Sequence, residues 1–96
     1  MDSNVPEERL ERYFALTREA LAMAKKAPKA DGREDEAATV LDMAQRYYDD
    51  ASHFRKHGRE VDAFACLNYA HGWLDCGARL GLYKVNDSRL FTVDDE

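Results

Sequence analysis

No long apolar run occurs anywhere in the chain. None of its hydrophobic stretches approaches the ~20 residues needed to cross a bilayer. The opening residues, MDSNVPEERLERYF, are acidic and lack the apolar core of a signal peptide. A cytoplasmic protein is expected, with no membrane partner. Cysteine is scarce, at Cys66 and Cys76 only. On one continuous helix their backbones would sit about 15 Å apart, far beyond the ~4.4–6.8 Å of a disulfide. No disulfide between them is expected, and both read as small packing residues. Positive charge is also short: 14 Lys and Arg stand against 19 Asp and Glu, a net charge of -5. Sequence-independent nucleic-acid binding needs clustered cations to displace counterions, and that class is disfavoured. No glycine-rich phosphate loop, Ser-His-Asp arrangement or Cys-x-x-Cys appears, so no cofactor is expected.

The 96 residues suffice for a single small domain with a single core. A hydrophobic fraction of 45% and 10% aromatics argue for a folded chain. Leu10, Tyr13, Phe14, Thr17, Leu21 and Ala24 recur at three- and four-residue spacing, the stripe of an amphipathic helix. Asn4, Pro6 and Glu7 offer it a capping box, and Ala27-Pro28 ends it. After the linker PKADGREDE, Asp31 and Glu34 repeat the capping-box pattern, while Asp35 and Glu36 place negative charge at the start of a second helix. Its inner side carries Val40, Leu41, Ala44, Tyr47, Tyr48, Ala51 and Phe54. Gly58 then supplies a left-handed reversal into a third helix. The expected fold is all-α: an up-and-down three-helix bundle with helices at about 5–27, 34–57 and 59–82, and a short extended tail over 83–96. Within that tail, LFTV at 90–93 is an apolar patch suited to docking against the bundle.

The third helix has too much apolar surface for an outer helix. Phe64, Leu67, Ala70, Trp73, Leu74, Gly77, Ala78 and Gly81 form the expected core face. Beside it runs a polar stripe of Asn68, His71, Asp75 and Arg79, the last two spaced for an intrahelical ion pair. On the far side stand Val61, Ala65, Gly72 and Cys76, all small or apolar. Such a second face implies a cover, either the tail or another subunit. The candidate interface residues are Asn68, Tyr69, His71, Gly72, Trp73, Asp75 and Arg79, and the expected occupant is a homodimer mate or another protein. A register-fixing polar seam is the other reading of the same stripe.

A second cluster lies on the middle helix. Asp49, His53 and His57 fall one turn apart, as metal ligands do, but no further His or Glu cluster completes a site. With Arg46, this face is the basis of the alternative reading, an RNA-directed or metal-assisted hydrolase. The Arg-x6-His spacing of Arg46 and His53 is similar to that of helical HEPN ribonucleases. Tyr47, however, stands where those usually carry a polar residue.

Residues 47–83, YYDDASHFRKHGREVDAFACLNYAHGWLDCGARLGLY, together with the closing LFTV, resemble a small archaeal family, domain of unknown function 357. The combination NYAHGWLD-x-G-x-R-x-G carries the resemblance. It implies an archaeal, cytoplasmic helical bundle of about this length, and brings no catalytic residue or substrate with it.

Overall fold

The structure, a computed structural model, describes residues 5–93. Three helices follow one another: α1 (Glu7–Lys26), α2 (Glu34–Lys56) and α3 (Glu60–Arg79). They pack side by side as an all-α three-helix bundle measuring 45 × 26 × 21 Å. The proposed cap at Asn4 lies outside the described residues. Pro6 occupies the position before α1, and its carbonyl accepts the first helical bond from the Leu10 amide. Proline suits that place because it has no N–H to leave unsatisfied.

Helix ends are secured by backbone and lysine rather than by the expected side-chain caps. At α2 the capping box does not form, for Asp31 and Gly32 make a tight turn closed by the Arg33 amide on the Ala30 carbonyl. Arg33 therefore precedes the helix; its guanidinium pairs with Glu36 and donates to the Leu80 carbonyl. At the end of α1, Ala27 turns extended before Pro28. Lys29 folds back there, its Nζ donating to the carbonyls of Ala24, Lys25 and Ala27. The Ala24 and Lys25 carbonyls belong to the last turn of α1, which has no further helical amides to receive, so a cation at this negative end suits both hydrogen bonding and the dipole.

Both later helices end in the same glycine device. Gly58 takes φ 70° after α2; its amide donates to Arg55, and the Arg59 amide reaches Phe54. Gly81 repeats this after α3, with bonds to Ala78 and from Leu82 to Gly77. These are Schellman closures, which require the left-handed residue that glycine supplies without strain. α3 thus stops three residues short of the expected 82.

The tight reversal at Gly58 makes α2 and α3 an antiparallel pair. Ala37, Ala44 and Ala51 recur every seventh residue along α2, and Ala63, Ala70 and Gly77 do so along α3; all are buried. By helix rise, a hairpin reversing at Gly58 sets Ala51 at nearly the level of Ala63 and Ala44 at that of Ala70, while the open side of Gly77 receives the Tyr83 ring. Small residues facing each other let two backbones approach closely, and this seam organises the bundle. α1 lies across it through Leu10, Phe14, Thr17, Leu21 and Ala24, as its spacing predicts. The core has two parts. One packs Leu10 and Phe14 against Ala51, Ala63 and Leu67. The other gathers Leu21, Val40, Leu41 and Leu74 around Leu82, Tyr83, Leu90 and Phe91.

The tail therefore completes the core of its own bundle. It leaves α3 in extended form, with Tyr83 bridging Lys29 and the Lys84 amide donating to Pro28. It then turns at Asp87, whose carbonyl accepts from both Leu90 and Phe91. LFTV docks as expected, though as a turn and not as extended chain. A turn lets Leu90 and Phe91 point inward together, whereas successive residues of a strand would face opposite ways.

Candidate interaction surface on the third helix

The polar stripe of α3 divides into two roles. His71 is half-buried, with its Nε2 at 2.5 Å from the Leu90 carbonyl and its Nδ1 at 3.4 Å from the Thr17 hydroxyl. A carbonyl only accepts, so Nε2 carries the hydrogen and Nδ1 receives the hydroxyl proton. One imidazole thereby ties α1, α3 and the tail together. Asp75 accepts the Thr92 amide at 2.8 Å. That bond replaces the ion pair expected with Arg79, because the tail brings a donor directly to the carboxylate. Arg79 stays exposed and makes no ion pair among the described residues.

Among the described residues nothing covers the far side of α3. At 100° per residue, Val61, Ala65, Asn68, Tyr69, Gly72, Cys76 and Arg79 form one face, and every one of them is exposed. Among these seven residues Arg79 is the only formal charge, and half-buried Asp62 stands at the edge of the face. On α1 the balance is reversed, since Ala15 and Ala22 are the only exposed positions without charge. Among the described residues, the exposed large hydrophobics are Val61 (48% exposed), Tyr69 (64%) and Leu80 (54%). All three belong to this surface, Leu80 extending it by one residue beyond α3.

At its centre Asn68, Tyr69, Gly72, Trp73 and Cys76 line an open groove of about 550 Å³. Gly72 forms the floor, with nothing within 4 Å of where a Cβ would stand. Tyr69 forms one wall and is held upright by stacking on Tyr47 of α2, centroids 5.1 Å apart and planes at 19°. Trp73, placed by its spacing on the core face, is half-buried and serves both sides: it packs on the core while its remaining surface lines the groove. The two mid-helix glycines thus differ. A Cβ on Gly77 would lie 2.5 Å from the Tyr83 hydroxyl, whereas Gly72 opens onto empty space.

Cys76 is exposed and Cys66 half-buried, and both are free thiols. Burial, reinforced by Asp50 and Asp62, pushes the Cys66 thiol above its ordinary range and disfavours the nucleophilic thiolate.

The candidates on α2 are brought near one another without forming a cluster. Asp49, His53 and His57 are all exposed. The Asp49 carboxylate accepts Gln45, and His57 Nδ1 donates to the His53 carbonyl at 2.8 Å. The two imidazole rings lie 4.4 Å apart. Arg46 pairs with Asp42 one turn earlier. Among the described residues no group of three or more His, Cys, Asp or Glu side chains is placed to hold a metal ion. Nor is any helix among them long and apolar enough to cross a membrane.

Leu80 and Tyr47 are the members of the surface that sequence reasoning did not assign to it. Leu80 follows the helix pattern only up to its cap, and the Tyr47 role depends on the level at which α2 meets α3. No curated protein and no solved structure matches the chain. The family described as "Protein of unknown function (DUF357)" matches residues 12–83, which take in all of α2 and α3 and most of α1. The chain belongs to that family.

Proposed function

We propose that this protein is a protein-association module whose docking surface is the outer face of α3, and that its occupant is a helix of a second polypeptide chain. One observation carries the reading: the exposed large hydrophobics gather on a helix face whose charges are few, Arg79 with Asp62 at the edge, while the other helices are densely charged. Apolar surface exposed in one contiguous patch costs solubility and is characteristic of interaction sites. The groove floor at Gly72 suits a helix backbone lying close, and the upright Tyr69 ring suits a rigid anchor at a low entropic cost. Arg79, exposed and without an ion pair among the described residues, suits an acidic side chain on the occupant. The free thiols fit a reducing compartment such as the cytoplasm.

The test is site-specific photocrosslinking in cells that naturally make the protein. A photoreactive phenylalanine analogue at Tyr69 is expected to capture a protein chain, identifiable by mass spectrometry. The same group at Ala15, exposed on α1, is expected to capture none. No adduct from Tyr69, or equal adducts from both sites, would overturn the reading.

A further inference from the structure

The outer face of α3 is complementary to itself when turned end over end. We infer that its occupant is a second copy of this chain, the two α3 helices running antiparallel about a two-fold axis that passes between Ala70 and His71. The inference rests on the reading of this face as a docking surface, and names its partner and its register. In a two-fold contact each residue meets a counterpart that meets it in return. With the axis between Ala70 and His71, Tyr69 comes level with Gly72 of the second copy, and Ala65 with Cys76. Val61 comes level with Leu80 and Asp62 with Arg79.

Each match answers a feature of the isolated chain. The exposed Tyr69 ring finds the open space above Gly72. The exposed side chains of Val61 and Leu80 cover each other. Ala65 and Cys76, both small, allow the helices to approach. Arg79, without an ion pair among the described residues, meets Asp62, whose carboxylate accepts Arg59 at 2.7 Å and retains free acceptor capacity.

The chain already uses this packing inside itself. α2 and α3 run antiparallel with small residues every seventh position, and on the outer face Ala65 and Gly72 repeat that interval. Charge decides which face two copies can share. The chain carries a net charge of -5, and most of its surface repels its like. Contact centred on the outer face of α3 brings together the surface with least charge. From Val61 to Leu80 the face runs about 28 Å. Two helix faces of that length bury less than the roughly 1,200 Å² of a standard interface, so association is weak and concentration-dependent.

The register is tested with a cysteine. In Ala65→Cys, the new thiol of one copy should lie level with the native Cys76 of the other, within disulfide reach. Mild oxidation should then give roughly ten-fold more covalent dimer than in wild type, because the two thiols are held at high effective concentration. Adding Cys76→Ser to Ala65→Cys should return the yield to the wild-type level. Equal yields in all three proteins, or no dimer in any, would overturn the register. If the photocrosslink from Tyr69 instead captures a different protein, the self-partner falls while the docking surface stands. If it captures nothing, both fall.

Discussion

The Tyr83 ring occupies the space that a Gly77 side chain would need. Its hydroxyl donates to the Leu74 carbonyl at 2.5 Å, and a Cβ built on Gly77 would meet that oxygen at 2.5 Å. Tyr83 is only 1% exposed and packs against Phe91, so its ring has nowhere to swing. Glycine inside a helix costs about 0.5–1 kcal/mol relative to alanine. Here that cost is offset by a buried aromatic that locks the start of the tail onto α3.

Gly77→Ala and Gly72→Ala should therefore have opposite effects. At Gly77 the overpacking penalty, about 1–3 kcal/mol, outweighs the gain in helix propensity, and the protein is destabilised. At Gly72 the new methyl meets nothing within 4 Å, and the propensity gain of about 0.5–1 kcal/mol remains. Urea denaturation of both variants, in dilute solution where the chain is monomeric, checks the signs.

Burial also raises the Tyr83 hydroxyl well above its ordinary range, with Asp75 and Cys76 adding to the shift. A raised acid keeps its proton in the fold while the unfolded chain loses one above about pH 10. The stabilisation is thus fully present below that pH and is lost as pH rises toward the folded value, by about 1.4 kcal/mol per unit. Tyr83→Phe has no such proton to lose. Denaturant midpoints compared above about pH 10 should fall more steeply for wild type than for Tyr83→Phe.

The tail is expected to behave as part of the core. Leu90 is 1% exposed, and its carbonyl is an anchor for His71. Leu90→Ala should cost about 2–5 kcal/mol, the usual range for emptying a buried leucine site. A loss below about 0.5 kcal/mol, as at a surface position, would mean that the bundle does not depend on its tail. Chemical denaturation followed by circular dichroism makes the measurement.

Much of this architecture was legible in the sequence because it follows from periodicity. The stripe from Leu10 to Ala24 places α1, and Gly58 places the reversal between α2 and α3. The second face of α3 was legible for the same reason, since Val61, Ala65, Gly72 and Cys76 fall on the side away from Leu67 and Leu74. The start of α2 was not, for beside the turn at Asp31-Gly32 the Ala30 amide meets Leu82 and Arg33 reaches Leu80, contacts distant in the chain. For His71 the sequence left a polar seam and a binding site both open, because a histidine at that spacing looks the same whether it binds a ligand or the tail. Only the position of Leu90 decides between them. Gly72 and Gly77 likewise look equivalent until Tyr83 is seen over one of them.

Sedimentation equilibrium of wild type and Gly72→Glu tests the central claim most directly. The glutamate has open space in the monomer, so the fold is retained, but in the proposed contact it places a carboxylate against the apolar centre of the opposing helix. As concentration rises toward about 1 mM, wild type should move from the monomer mass toward twice that mass, with Gly72→Glu remaining a monomer throughout. A wild-type chain that stays monomeric over the whole range, or a Gly72→Glu chain that associates equally well, would contradict the account.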